Sequence, residues 1–159
     1  MRYSRGQAIL RSFGDTRNQR LPTDNTKANM SSHQILVLSY IAFVWAAILH
    51  TFEEISCGIM ESQLAHIKIT RNRYLVGASA ISTVNLGTLA LLVLGLPAGY
   101  YVGLFTSATI GVFQAIVHSI GYLREGRRAR GLGAGFYSSI PLAAIGLMVF
   151  VQIVRIIAA

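Results

Sequence analysis

The sequence predicts an all-α integral membrane protein, a four-helix bundle preceded by a polar, basic N-terminal tail. Three observations lead there. First, 53% of the 159 residues are hydrophobic and 13% are charged, against roughly 25% charged in an ordinary soluble domain. The mean hydropathy is +0.51. A soluble chain of this size cannot hide so many apolar side chains, and a disordered chain does not carry them. Second, the apolar residues gather into four runs, most of them near the ~20 residues a helix needs to cross a bilayer. Third, the basic residues lie between those runs. Cys57 is the single cysteine, so no intrachain disulfide framework is possible.

Residues 1–33 are polar and basic, with Arg2, Arg5, Arg11, Arg17, Arg20 and Lys27 against Asp15 and Asp24. Gln7-Ala8-Ile9-Leu10 is too short for the apolar region of a signal peptide, so a disordered tail is expected. Met30, just ahead of the first apolar run, is a natural alternative start, and the first 29 residues carry no function in this reading. The first span begins near Gln34. Its uncharged stretch ends at Leu49 after about 16 residues, short of a bilayer crossing. To span, the helix must continue through His50, Glu53 and Glu54 toward Ile59, giving 34–59. The remaining spans are expected at 74–96, 99–123 and 136–157.

Leu96-Pro97-Ala98-Gly99 is a tight turn signal, so spans two and three form a hairpin. Residues 124–135 form a basic loop that ends in Gly131, Gly133 and Gly135. No strand precedes those glycines, which excludes a dinucleotide fingerprint. Small residues inside the spans, as in Gly77-Ala78-Ser79-Ala80 and Ser107-Ala108-Thr109, let membrane helices approach closely.

The formal net charge is +8, from 14 Lys and Arg against 6 Asp and Glu. Lys68, Arg71, Arg73, Arg124, Arg127, Arg128 and Arg130 fall in the loops joining spans one to two and three to four, and the turn between spans two and three carries none. The positive-inside rule then puts both basic loops in the cytoplasm and both termini outside a multi-pass chain in the cell membrane. Basic flanks on apolar spans meet anionic lipid headgroups. Membrane lipid is therefore the expected partner, and nucleic acid is not.

His50-Thr51-Phe52-Glu53-Glu54 is the segment that carries chemistry. Residues at i, i+3 and i+4 share a helix face, so His50 lies beside both acids. Ionisable groups at membrane depth cost several kcal/mol unless paired, neutralised or metal-bound, and they mark function. The competing reading ends the helix at Leu49 and leaves the acids in headgroup water, but the span would then be too short. His118 lies about 19 residues into the third span and His50 about 16 into the first. These spans run in the same direction, so at 1.5 Å per residue the two imidazoles reach similar depth. Asn85, in the middle of span two, and Gln114, one turn before His118, are supporting polar candidates. Ser138 and Ser139 sit where a helix cap is expected. His33, His66 and Cys57 receive no role.

HxxEE differs by one residue from the HxxEH of zinc proteases, in which two helical histidines bind metal and the Glu activates water. By analogy His50, Glu54 and His118 are metal ligands and Glu53 is the water-activating base. Three N/O ligands with an open fourth position suit zinc. Iron is the alternative, although di-iron bundles use about six ligands. Without metal, Glu53 or Glu54 with His50 could run acid/base chemistry on a lipidic or apolar substrate. The non-enzyme readings are a structural subunit and a proton- or ion-coupled carrier, the latter as a homo-oligomer because four spans are too few for an inverted repeat.

The HTFEE segment, Asn85 in the next span, His118 in a later one and the basic loop before the last span together resemble the HXXEE-domain family of small bacterial multi-spanning membrane proteins. The resemblance covers roughly residues 34–157. It implies a shared site at His50, Glu53 and Glu54, joined by His118 and Asn85, without implying a reaction.

Overall fold

A capping box starts the first helix, α1 (Ser32–Ser56), in the computed structural model, which describes residues 30–59, 63–64, 67–125 and 133–159. The Ser31 hydroxyl accepts from the Gln34 N–H at 3.2 Å, and the Gln34 side chain accepts from the Ser31 N–H at 2.9 Å. This reciprocal pair fixes the start two residues ahead of the expected Gln34, so Ser32 and His33 are helix rather than tail. Residues 1–29, His66, Arg127, Arg128 and Arg130 lie outside the described residues. No Gly or Pro interrupts α1, and it continues through His50, Glu53 and Glu54 as the length argument requires. Its 25 residues rise about 37 Å. Gly58, at φ 77°, turns the chain out of it.

A two-residue antiparallel ladder, β1 (Gln63–Leu64) with β2 (Ile67–Lys68), leads into α2 (Arg71–Val93). The Thr70 hydroxyl caps α2 by accepting from the Arg73 N–H at 3.4 Å. The helix stops before the expected Leu96 because Gly95 adopts φ 67° and reverses the chain. Pro97 then opens α3 (Pro97–Thr106) at its first position, where a missing N–H is harmless. The hairpin is tight at Gly99, where a Cβ would come within 2.9 Å of the Leu92 nitrogen.

The third span changes its winding partway. α3 passes into a π-helical segment, Ser107–Phe113, and then into α4 (Gln114–Glu125). A π-turn takes in an extra residue. At about 100° per residue, side chains beyond it are rotated by that much relative to an unbroken α-helix. Within the segment Gly111 meets Gly146 of α5 (Phe136–Ala158): a Cβ on Gly111 would lie 3.1 Å from the Gly146 Cα, and one on Gly146 would lie 3.0 Å from the Gly111 Cα. This backbone-to-backbone approach is what small residues permit between membrane helices.

The core is a seam of α1 (Leu36, Tyr40, Phe43) against α5 (Leu142, Val149, Ile153), with Leu92 of α2 beside it. Trp45, Phe52, Val76, Phe105 and Leu123 face outward. Four helices are long and apolar enough to cross a membrane, so the chain is an all-α four-helix bundle with an apolar exterior. Midway along it, the Tyr40 hydroxyl donates to Asn85 Oδ1 at 3.2 Å and lies 2.8 Å from Thr106 Oγ1, tying three helices together. At one end of the bundle the first half of α2 is thinly covered by its neighbours. From Arg71 to Val84 only Tyr74 and Ala78 are half-buried, and the rest are exposed.

Candidate metal centre

One turn of α1 separates His50 from Glu54, so both side chains point the same way, and α4 brings His118 to them. Each of the three offers one ligand atom, and these atoms all lie within 4.8 Å of one another. They are 2%, 6% and 3% exposed, so all three are almost wholly buried. Glu54 Oε1 is 3.2 Å from His118 Nε2 and 3.7 Å from His50 Nε2. Ligands at 2.0–2.2 Å around a tetrahedral ion are about 3.4 Å apart. The two observed separations bracket that figure. The imidazole rings meet edge to face with centroids 4.8 Å apart, as equal depth in two parallel spans predicts.

The remaining polar atoms of His50 and Glu54 are held from outside. His50 Nδ1 lies 2.9 Å from Ser138 Oγ on α5, and the Ser138 hydroxyl is within 3.4 Å of the Gly135 carbonyl, to which it donates. With the Ser138 hydroxyl donating to Gly135, it accepts from Nδ1–H, which leaves the Nε2 lone pair facing inward, where the Gln114 amide donates to it. The Tyr74 hydroxyl of α2 donates to Glu54 Oε2 at 2.8 Å, leaving Oε1 to face the histidines. Such outer partners fix the tautomer and aim of metal ligands. Gln114 Nε2 stands 2.8 Å from His50 Nε2 and 3.5 Å from Glu54 Oε1. All four spans therefore converge on the site.

Glu53 is not brought into this cluster. Its Oε2 accepts from the Ser138 N–H at 2.7 Å and its Oε1 from the Tyr137 N–H at 3.3 Å. The residue preceding α5 is Gly135 at φ 85°, which has no side chain to cap the helix. A carboxylate from α1 therefore does the capping, favoured by the positive end of the helix dipole. The water-activating role expected of Glu53 needs a carboxylate aimed at the ligand atoms, and both its oxygens are committed elsewhere. Because Glu53 caps α5, Ser138 is released to hold His50 rather than to cap as expected, while the Ser139 hydroxyl bonds the Phe136 carbonyl at 2.7 Å.

Gly135 is a site residue that sequence reasoning missed. A Cβ there would lie 2.6 Å from His50 Cε1 and 2.9 Å from Glu54 Cγ, in a backbone conformation that L side chains rarely adopt. The glycine closes the end of the cluster, and the one available signal was the run of glycines before the last span. Asn85 stands apart, bound to Tyr40. His33 joins α1 to α3 through the Tyr100 hydroxyl at 3.1 Å.

Beside the cluster, a cavity of about 390 Å³ opens between α1, α2 and the third span. His50, Glu54, Tyr74 and Gln114 border it at one level and Asn85 at another, and the wall between is made of residues such as Ala47, Gly77 and Ile81. No family model, curated protein or solved structure matches the chain.

Proposed function

We propose that the protein is a small enzyme of the cell membrane in which His50, Glu54 and His118 hold a divalent transition metal, zinc before iron. The observation that carries this reading is the convergence of three buried ligand atoms, with the outer atoms of His50 and Glu54 already committed to Ser138 and Tyr74. Two imidazoles and a carboxylate with room for a fourth ligand are the donor set of catalytic zinc. The ion would supply Lewis acidity and a reactive water at the wall of a largely apolar cavity, where a lipidic or apolar substrate is the natural reactant. Glu54 supplies the negative charge, His50 and His118 supply neutral nitrogen, and the Gln114 amide, 2.8 Å from His50 Nε2, would give up that nitrogen to the ion and become free to meet an occupant of the cavity. Glu53 acts as a positioning residue by holding α5, and hence Ser138, against His50. On the pattern of HTFEE, Asn85 and His118 we also assign the chain to the HXXEE-domain family.

Elemental analysis of detergent-purified protein, beside a His50→Ala variant, tests the reading. The expected result is about one zinc or iron per chain, falling to background in the variant while thermal unfolding stays cooperative. Metal-free wild-type protein with intact folding would sink the metalloenzyme and leave acid/base or proton-transfer chemistry at Glu54 and the histidines.

A further inference from the structure

The cavity extends well beyond the three ligands. Its α2 wall runs from Arg73 to Leu86, about 20 Å along the helix. Along that length the wall is built from Gly77, Ala78, Ile81 and Ser82, faced by Val44, Ala47 and Ile48 of α1. The space exists because small residues line it and the first half of α2 is thinly covered. A Cβ on Gly77 would meet nothing within 4 Å. Gly77, Ile81, Ser82 and Leu86 line the cleft and are also exposed on the outside of the bundle, so the cleft reaches the surface that a membrane-spanning bundle turns toward lipid. Arg73 stands at the end nearest the expected membrane surface, next in the chain to Tyr74, whose hydroxyl reaches the cluster at Glu54.

From this geometry we infer that the groove between α1 and α2 admits a single-chain amphiphile with an anionic head sideways from the bilayer, its head group at Arg73 and the adjacent cluster and its tail toward Asn85. The volume of about 390 Å³ lies in the range of small-molecule sites and excludes a helix, which is 10–12 Å across. Arg73 supplies the charge that selects the head. A divalent ion on Glu54 would leave the centre with a net charge of +1, adding to that attraction. The inference names the substrate class of the site proposed above and rests on that reading for its purpose. Carboxylate and phosphate heads share the required chemistry.

Full-length protein in detergent is titrated with palmitate, with palmitoyl-lysophosphatidate and with uncharged 1-palmitoylglycerol, and one-to-one adducts are read by native mass spectrometry. Metal content is measured on the same samples. At least one anionic probe should bind once per chain and at least tenfold more tightly than palmitoylglycerol, and the tighter of the two identifies the head. Gly77→Leu, which fills open space, should weaken binding at least tenfold, and Ser82→Leu should do the same by an independent route. Arg73→Gln should remove the preference for a charged head. Equal binding of all three probes, unchanged binding in both leucine variants, or a dimer of the chain that takes up no probe would each overturn the inference. Retained metal beside any of those results leaves the metal centre standing. Absent metal beside tight palmitate binding sinks the metal centre and supports the groove.

Discussion

At Tyr40 a phenol donates to Asn85 and meets Thr106, and about 21 Å further along α1 the Glu54 carboxylate meets His118, Tyr74 and Gln114. Both clusters are buried, and both join α1 to α2 and the third span. At Tyr40 every group is neutral, and its hydroxyl has both a donor's and an acceptor's use for its neighbours. Bonds of this kind between membrane helices contribute roughly 0.6 kcal/mol each on average, enough to set register. At Glu54 a carboxylate oxygen and two ring nitrogens face inward together, and the outward atoms of Glu54 and His50 are already held by Tyr74 and Ser138. A carboxylate in that setting needs a cation or a proton beside it. Burial alone therefore does not distinguish a tie from a site, and the direction in which the lone pairs point does.

Gly135→Ala should produce the largest effect that separates the two clusters. The added methyl would sit 2.6 Å from His50 Cε1 at a φ of 85°, a strained arrangement costing about 1–3 kcal/mol. A clear fall in Tm together with loss of bound metal is expected, and wild-type metal content in this variant would show that the glycine does not shape the site. Next come Ser138→Ala and Tyr74→Phe, which remove the outer holds on His50 and Glu54 without touching a ligand. Each should weaken metal affinity by about 10–100-fold, measured by chelator competition, with the Tm nearly unchanged. Equal affinity in both variants would reduce those contacts to packing. The smallest effect belongs to Tyr40→Phe, which should lower stability by about 0.6–1.7 kcal/mol and leave metal content at the wild-type level. Metal loss there would erase the contrast between the clusters.

Much of the bundle can be read from hydropathy, because four apolar stretches separated by charge admit few other arrangements. The shortfall of the stretch ending at Leu49 was more telling than the motif itself, since it required the helix to carry His50 and Glu54 onward. Counting residues along parallel spans brought His118 to the same depth. Other features were out of reach for physical reasons. Glu53 and Glu54 are chemically alike, and their separate tasks follow from about 100° of helix rotation and from what stands on each side, namely α5 for one and α4 for the other. Ser138 and Tyr74 became partners of the site through helix packing, which no local pattern encodes. Gly135 looked like loop punctuation because its constraint comes from His50, 85 positions earlier in the chain.

The π-helical stretch at Ser107–Phe113 makes the aim of His118 a matter of chain length as much as of chemistry. No side chain in that stretch is a proposed ligand, yet removing one residue from it would let the helix wind regularly and swing His118 by about 100°. The hydropathy of the span would hardly change. Ancestry could therefore gain or lose the third proposed ligand by a single-codon insertion or deletion in a segment that holds none of the three, leaving a bundle that inserts normally with its cluster undone.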